Sequence, residues 1–301
     1  MKGDRRFVAS MLLPTFFFLI CFYAYPTLYN LMNSFTDLSL FGMRKGGAWV
    51  GFENYWELVT SRDFRSVLWN TIVWLTLIGV SVRILLGLAL AFLLTSRTIR
   101  KYRLQTISRV LLLVPWATPP IVAILIWRWM LDPGVGVINA MLTGSGLVDQ
   151  PIAFLATAGF VWPALITIIT WNTLPLVTLT FMASLQSLPD ELIEAGEVDG
   201  ASRLQLLRFV YLPHLKPAIV VMVLMSTFWT FNNFTYVWLT TGAGPGLYTN
   251  VMATEVYIKG FVDGRLGYSS AVGVVMAAIM TAFGLLFYLR VIARRELKEV
   301  F

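Results

Sequence analysis

The chain has 301 residues, of which 57% are hydrophobic and 13% are charged, and its mean hydropathy is +0.73. A soluble domain carries roughly 25% charged residues, so this composition excludes an ordinary soluble domain and predicts an all-α integral membrane protein. The net charge of +7 is compatible with nucleic-acid binding. Basic residues also accumulate on the cytosolic side of multi-pass membrane proteins, however, so no nucleic-acid partner is expected.

Six apolar runs along the chain are long enough to cross a bilayer, which needs about 20 residues per helix. The first run exceeds the apolar core of a signal peptide and no small-x-small cleavage site follows it, so a retained helix is predicted. The sequence thus predicts a single transmembrane domain over residues 1–301. Its helices are expected at about 7–31, 67–94, 107–131, 152–185, 217–239 and 268–292.

The distribution of Lys and Arg predicts the orientation of these helices. The N-terminus, the segments 97–109 and 203–216 and the tail from Arg290 together hold 15 basic residues, whereas the alternate loops hold 6. Because short basic loops stay in the cytosol, both termini and the connection at 186–216 are predicted to be cytosolic. The opposite loops are short, and the cluster from Asp132 to Gly136 predicts a tight turn in one of them.

Residue types that commonly bind cofactors are scarce. Cys21 is the only cysteine and lies within an apolar run, so neither a disulfide within the chain nor a cysteine-based metal site is expected. The sequence G-x-x-x-x-G-K-[ST] does not occur, which argues against ATP binding by a phosphate loop. We therefore expect a protein that is not an enzyme and has no catalytic residue, metal or cofactor of its own.

The cytosolic connection between the fourth and fifth runs predicts two helices. Pro189 is a suitable helix start, and the acids Asp190, Glu191 and Glu194 favour the positive end of a helix. Gly200 is expected to end that helix, because glycine adopts the left-handed cap conformation at low cost. A second amphipathic helix should follow and end at Leu212-Pro213.

The spacing of this connection resembles the coupling-loop signature of the permease subunits of ABC importers. The residues that carry the resemblance are Glu194, Ala195, Gly196, Asp199, Gly200, Leu212 and Pro213. The family pattern usually has Ala where this chain has Gly196 and often Ile where it has Val210, so a small and an aliphatic residue are kept. The resemblance implies the type I importer fold with six helices, in the inner membrane of a prokaryotic cell. It also implies that the segment 186–216 docks on an ATPase.

Charged side chains are almost absent from the predicted spans. None contains Asp or Glu, which argues against a proton-coupled or sodium-coupled carrier. Arg128 lies between two tryptophans near a span end and is expected to reach the interface. Arg83 lies deeper, where a structural partner, a water-filled cavity and a substrate contact all remain open.

Uncharged polar residues in the fourth and fifth runs predict a pocket. Ser226, Trp229, Thr230 and Asn233 recur at helical spacing and should share one face. A neutral sugar needs an aromatic ring for its C–H face and amides or hydroxyls for its hydroxyl groups, and Pro175 is expected to kink the fourth helix and open such a cavity. Hydrogen bonds between helices or subunits are the alternative explanation.

The stretch Phe231-Asn232-Asn233-Phe234 and the following Gly242-Ala243-Gly244-Pro245 resemble the larger permease subunit of maltose-type importers. Aligned from the coupling loop, that resemblance, together with the pattern in the fourth run, gives a predicted substrate-binding set. Its members are Asn172, Thr173, Leu176, Ser226, Trp229, Thr230 and Asn233. The resemblance further implies a second, different permease chain, two ATPase subunits that hold ATP and Mg, and an extracytoplasmic solute-binding protein.

The sequence therefore predicts one permease subunit of an ATP-driven importer of a carbohydrate. One alternative within the same family is a permease for a glycerol-phosphate ester or another polar solute, although a phosphate favours Arg or Lys in the pocket and the fourth and fifth runs offer none. The other alternative is a secondary transporter that works alone, against which the missing carboxylates and the missing inverted repeat argue.

Overall fold

The computed structural model describes residues 2–96, 99 and 105–292, and these residues form helices joined by turns and loops, with no strand among them. Five helices are long and apolar enough to cross a membrane, and a sixth crossing is present if a sharply bent pair counts as one span. The basic segments at 97–109 and after Arg290, on which the predicted orientation depends, lie partly outside the described residues.

We name the helices in chain order. They are α1 (Ser10–Asn33), α2 (Glu53–Thr60), α3 (Arg62–Thr95), α4 (Gln105–Ala117), α5 (Pro120–Met130), α6 (Val137–Gly144), α7 (Ala158–Gln186), α8 (Asp190–Val198), α9 (Arg203–Phe231), α10 (Phe234–Thr241), α11 (Met252–Tyr257) and α12 (Leu266–Arg290).

The third predicted span, 107–131, is a broken one. Helices α4 and α5 meet at an angle of 95°. Pro119 has an extended backbone with φ of −54° and ψ of 139°. A proline ring disfavours the helical conformation of the residue before it and removes one backbone donor, so the chain turns at Thr118-Pro119. The prediction of one continuous helix was wrong here.

The fifth predicted span, 217–239, differs at both ends. Helix α9 begins at Arg203 and runs through Leu212-Pro213 to Phe231, so the prediction that Leu212-Pro213 ends the cytosolic helix was wrong. The residues before this pair form a wide π-type turn in which the Leu212 amide donates to the Leu207 carbonyl, five residues back. Such a turn accommodates a proline ring inside a helix.

At its other end, α9 stops at a pair of asparagines. Asn232 caps the last turn of α9, and the Asn233 side chain accepts a hydrogen bond from the Tyr236 amide at 3.1 Å and so starts α10. Asparagine is a favoured residue at the start of a helix because its side-chain oxygen satisfies a free amide. The predicted span 217–239 therefore contains a second helix break.

The fourth span is α7, which extends from Ala158 to Gln186 and contains both Pro163 and Pro175 within one continuous helix. It begins six residues later than the predicted 152. The preceding loop is held by Asn139, whose side chain accepts from the Ile152 amide at 2.8 Å and donates to the Ile152 carbonyl at 3.0 Å. The predicted turn at Asp132 is present, since the Asp132 side chain accepts from the amides of Gly134 and Val135 at 2.8 and 3.0 Å.

The chain divides into two compact units, of which the first comprises the residues up to Ser66 together with Met252–Phe283. The ring of Phe35 stacks on Trp49 at 5.3 Å, and Phe52 and Tyr55 pack on Phe35 at the same distance. Asn54 donates to two carbonyl groups of this unit at 2.9 Å each. These contacts hold the loop between the first two spans.

The second unit comprises Val67–Val251 and the described part of the chain from Gly284. Helices α3 and α7 approach closely at Gly87, where a Cβ atom would lie only 2.7 Å from a methyl group of Val177. The rings of Trp74 and Trp162 stack at 5.8 Å with an interplanar angle of 8°. An apolar cluster completes this core. It contains Val80, Ile84, Ala91, Val177, Phe181, Met182, Leu185, Leu215 and Met222.

Candidate functional site: a coupling stretch and a polar helix cluster

The segment from Pro189 to Pro213, which we call the coupling stretch, contains α8, as the sequence predicted, and the first part of the longer helix α9. Helix α8 carries Asp190 and Glu191 in its first turn and ends before Gly200, whose φ is +77°. The amide of Gly200 donates to the Glu197 carbonyl at 3.1 Å, and the amide of Ala201 donates to the Gly196 carbonyl at 2.9 Å. Only glycine adopts this left-handed conformation at low cost, so Gly200 fixes the reversal after α8.

The start of α9 has a capping box that sequence analysis missed. The Ser202 amide donates to the Gln205 side chain at 2.7 Å, and the Gln205 amide donates to the Ser202 hydroxyl at 3.4 Å. The signal was available, because Ser followed three residues later by Gln is a known helix-start pattern. The two helices also pack on each other, since a Cβ atom at Gly196 would lie 2.7 Å from the end of the Leu206 side chain.

A cleft of about 560 Å³ opens beside α8. The acidic residues Asp190, Glu194 and Glu197 line it, and so do the aromatic residues Phe92 and Tyr211. These two rings meet edge to face at 5.5 Å. Acidic groups beside aromatic faces form an environment that favours a cationic side chain.

Most coupling-stretch side chains are exposed. Glu194, Ala195, Asp199, Gly200, Leu212 and Pro213 are all exposed, and Gly196 is half-buried. The apolar side chains of Val198 and Leu204 are 87% and 72% exposed. A surface that presents apolar side chains next to an acidic cleft is suited to a protein partner rather than to the aqueous phase alone.

The end of α7 is tied to the first part of α9 by His214. Its Nε2 atom lies 2.9 Å from the Ser184 carbonyl oxygen and 3.1 Å from the Ser187 hydroxyl. The side chain of His214 is half-buried. His214 thus connects α9 to the membrane helix that precedes the coupling stretch.

Asn172, one of the predicted substrate-binding residues, forms hydrogen bonds at the bend of the broken third span. Its side-chain amide donates to the carbonyls of Pro115 and Thr118 at 2.7 and 3.1 Å, on either side of the start of the bend. Its oxygen accepts from the Tyr236 hydroxyl at 2.5 Å. Both amide hydrogens are therefore already used within the chain, and Asn172 stabilises the bend between α4 and α5.

The structure separates the residues of α9 that were expected to share one face. Ser226 and Thr230 point inward and are 0% and 1% exposed, whereas the Trp229 side chain is 49% exposed. At about 100° per residue the three positions fall within about 100° of arc, so the boundary between the buried and the exposed side of α9 lies between Trp229 and the other two. Asn233 is half-buried and lies beyond the end of α9, so the prediction of one common face was wrong.

The remaining two predicted pocket residues lie on α7. Thr173 is half-buried, and its hydroxyl donates to the Ile169 carbonyl at 2.7 Å. Leu176 packs against the apolar cluster of the second unit. Their assignment to a substrate site stays a prediction.

Two arginines in the spans have different surroundings. Arg128 is exposed and donates to the Leu239 carbonyl at 3.1 Å. Arg83 is 1% exposed and donates from one terminal nitrogen to the Thr230 hydroxyl at 3.1 Å. Sequence analysis found no cation on the fourth and fifth spans, and the structure places one beside α9 from the second span. No local pattern indicates a contact between residues 147 positions apart.

The first unit contains a separate cavity of about 290 Å³, lined by Glu53, Glu57 and Arg265 among others. Arg265 makes two hydrogen bonds with the Glu57 carboxylate at 2.7 and 2.5 Å. The hydrogen bond from Arg265 holds the pKa of Glu57 below its ordinary value, and the same hydrogen bond raises the pKa of Arg265. The pair closes the loop between the first two spans onto the start of α12.

Several apolar helices that can cross a membrane, joined by short loops, define a helical multi-pass membrane protein. The chain belongs to the family described as the inner membrane component of binding-protein-dependent transport systems, whose family model matches residues 83–296. It is therefore a multi-pass inner-membrane protein and a membrane subunit of a transport system.

Individual relatives agree with this membership. The chain is 33% identical over 98% of its length, and 92% of the relative's, to a sulfoquinovosyl glycerol transport system permease protein of Agrobacterium fabrum. It is 29% identical over 80% of its length, and 79% of the relative's, to a trehalose/maltose transport system permease protein of Thermococcus litoralis. A solved bacterial ABC transporter involved in the import of the acidic polysaccharide alginate contains a chain of the same fold. The TM-score is 0.78 at 24% identity, and the match covers 98% of both chains.

Proposed function

We propose that this chain is a permease subunit of an ATP-driven importer of a carbohydrate, and that its coupling stretch transmits the motion of separate ATPase subunits to the membrane helices. A solute-binding protein delivers the sugar, and a second permease chain, different from this one, completes the pathway. Both termini and the coupling stretch lie in the cytosol. ATP and Mg are bound by the two ATPase subunits, and this chain hydrolyses nothing.

The observation that carries the proposal is the exposed helix α8 with its acidic cleft. Glu194 lines the cleft together with Asp190 and Glu197, so a basic side chain of an ATPase has three carboxylates to meet. Val198 and Leu204 supply the apolar contact around it. Because His214 joins α9 to the end of α7, displacement of the coupling stretch moves two membrane helices together.

The carbohydrate assignment is supported by the exposed face of α9. Trp229 presents about half of its surface outside the chain, and an aromatic ring at such a position stacks well on the C–H face of a sugar. Asn233, half-buried at the break between α9 and α10, offers an amide near the same end of the helix. This face is available to a second permease, so the pathway is expected between the two subunits. The relatives named for sugar systems agree with this choice.

A tag within the coupling stretch and a vesicle assay test the proposal together. A short epitope inserted after Gly200 should be accessible only from the cytosolic side. Inside-out and right-side-out vesicles distinguish the two sides directly. Uptake of labelled sugar by right-side-out vesicles should require internal ATP and the solute-binding protein. Uptake that follows an ion gradient without ATP would support a secondary transporter instead.

One observation favours the alternative of an anionic solute, such as a glycerol-phosphate ester. Arg83 brings a positive charge to Thr230, one of the predicted pocket residues. A phosphate or carboxylate group is the usual partner of an arginine. This contact leads to a more specific inference about the solute.

A further inference from the structure

Arg83 lies in the second unit with very little to balance its charge. The side chain is 1% exposed, and its Nε atom is buried without a hydrogen-bond partner. Its one hydrogen bond runs to the neutral hydroxyl of Thr230. Among the described residues, Arg83 forms no ion pair. The described residues therefore pair Arg83 with no carboxylate, the common partner of a buried arginine.

Such an arrangement is costly unless an anion joins it. A guanidinium group stays charged at neutral pH, and moving an unpaired ion out of water is strongly unfavourable even after local relaxation. The membrane-crossing helices that the structure describes contain no acid apart from Asp63, at the start of α3. Asp63 lies 20 positions from Arg83, or about 30 Å along a helix, and cannot serve as its partner.

The neighbouring side chains add donors to the same place. Ser226 lies one turn before Thr230 on the inward face of α9, and its hydroxyl is buried without a hydrogen-bond partner among the described residues. A hydroxyl can both donate and accept, whereas a guanidinium can only donate. Arg83, Ser226 and Thr230 thus form a group of donors that a single oxyanion would satisfy.

We propose that Arg83, Ser226 and Thr230 bind an anionic group of the carried solute, so that the importer takes an acidic sugar, one bearing a carboxylate, sulfonate or phosphate. This inference rests on the proposed function and narrows its substrate class. The three side chains are enclosed in this structure. The solute therefore meets them in the conformation in which α3 and α9 have moved apart. The arginine then exchanges the Thr230 hydroxyl for an anionic oxygen, and Ser226 completes the contact.

The experiment uses the intact importer, purified through a tag on this chain with its partner subunits and reconstituted in liposomes that contain ATP. Three disaccharide probes of the same size are compared. One ends in glucuronate, the second is its neutral methyl ester, and the third ends in glucose 6-phosphate. Each probe is also tested for binding to the complex without the solute-binding protein, because that protein imposes its own selection. The variants are Arg83→Gln, Arg83→Lys and Ser226→Ala, with Arg128→Gln as the matched control, since Arg128 is exposed and bonds only to a carbonyl group.

The wild-type complex should bind an acidic probe at least about ten-fold more tightly than the methyl ester, as a charge-assisted hydrogen bond allows. The uronate and phosphate probes show which oxyanion fits. Arg83→Gln should remove the difference between the acidic probe and the ester, Arg83→Lys should restore part of it, and Arg128→Gln should leave it unchanged.

Equal binding of the acidic and neutral probes by the wild-type complex overturns the inference, even if Arg83→Gln fails to assemble. Neutral sugar uptake that depends on ATP would in that case leave the proposed function intact, whereas no ATP-dependent uptake of any sugar would remove both. A third result would also overturn the inference. The Arg83→Gln complex would lose the second permease on purification, and Ser226→Ala would keep the probe selectivity of the wild type. Arg83 would then pair with the partner chain and not with the solute.

Discussion

The coupling stretch and the polar cluster of the second unit, by which we mean the buried residues Asn172, Arg83, Ser226 and Thr230, are built in opposite ways. In the coupling stretch, the hydrogen bonds at Gly200 and Ser202 join residues no more than five positions apart, and most side chains are exposed. In the polar cluster, the bonds of Asn172 and Arg83 join residues between 54 and 147 positions apart, and these side chains are buried. Local hydrogen bonds determine the shape of the coupling stretch, so its side chains are available to partners. In the polar cluster, the side chains themselves hold different helices together.

This difference indicates which property each region controls. A substitution at exposed Glu194 should alter coupling and leave stability nearly unchanged, because the structure describes no side-chain hydrogen bond or ion pair of Glu194. A substitution at Asn172 leaves three polar groups without a partner in a low-dielectric interior, where each costs free energy. It should therefore lower stability first and transport as a consequence.

The largest effect is expected for Glu194→Lys. The new cation lines the acidic cleft and repels the basic side chain that we expect an ATPase to place there. Uptake should fall by about two orders of magnitude, as expected when a close interfacial charge pair is reversed, while the amount of inserted protein stays the same. Uptake in vesicles and quantitative blotting measure the two quantities. Glu191→Lys on the same helix is the control, because Glu191 is exposed and does not line the cleft.

Normal uptake by Glu194→Lys would contradict the assignment of α8 to an ATPase. An equal loss in Glu191→Lys would show that the whole helix is sensitive to charge and that the cleft has no special role.

Asn172→Ala should give the second largest effect. It deprives the Pro115 and Thr118 carbonyls and the Tyr236 hydroxyl of their partner at the bend between α4 and α5. We expect a loss of about 2–4 kcal/mol in the free energy of unfolding, because buried polar groups left unsatisfied cost about 1–3 kcal/mol each and relax in part. Unfolding of the purified protein in mixed micelles with increasing SDS measures it.

The control for Asn172→Ala is Asn232→Ala. Asn232 is exposed, and its amide bonds only to the Phe228 carbonyl of its own helix, so this change should cost less than about 1 kcal/mol. Equal destabilisation by the two substitutions would remove the bracing role of Asn172. A selective loss of sugar binding in Asn172→Ala, with unchanged stability, would instead return it to the substrate-binding set.

The difference between local contacts and contacts over long sequence distances explains what the sequence could predict. Apolar runs located the membrane helices, of which the structure has five, or six if the bent pair counts as one span. A pattern of Glu and Gly at short spacing located α8 and the break after it, since both depend on neighbouring residues. The break at Thr118-Pro119 and the break at Asn232-Asn233 were missed because proline and asparagine occur in continuous spans as well, as Pro175 does in α7. Whether they break a helix depends on distant partners such as Asn172. The contact of Arg83 with Thr230 depends on how α3 packs against α9, and no local pattern encodes it.

Trp229→Ala should have a moderate effect on transport. If the exposed ring stacks on the sugar, its loss should lower uptake by roughly ten-fold, which corresponds to about 1.4 kcal/mol of binding free energy, while basal ATPase activity persists. Uptake of a panel of labelled sugars and phosphate release from the same liposomes measure both quantities. Trp129→Ala is a suitable control, since Trp129 is also exposed but lies on α5. Unchanged uptake across the panel would place Trp229 against lipid or the second permease.

The smallest effect is expected at the ion pair of the first unit, which is another contact over a long distance, 208 positions along the chain. Hydrogen bonding from Arg265 holds the pKa of Glu57 below its ordinary value. The pair therefore stabilises the folded state fully above the ordinary pKa of a glutamate, and this contribution is lost as the pH falls through the lowered pKa. Because both side chains are 45% exposed, it should amount to about 0.2–1 kcal/mol.

Glu57→Gln should therefore lower the thermal midpoint slightly at pH 7, and the two midpoints should converge as the pH falls through the lowered pKa of Glu57. Glu53→Gln tests whether this holds for any acid on α2, because Glu53 is exposed and makes no side-chain hydrogen bond among the described residues. High salt should reduce the difference at pH 7, since an exposed pair is screened. If the two midpoints differ by the same amount at pH 7 and at pH 3, the ionised carboxylate contributes nothing. The link between α2 and the start of α12 would then depend on packing and backbone hydrogen bonds, such as that from the Leu40 amide to the Gly264 carbonyl at 2.8 Å.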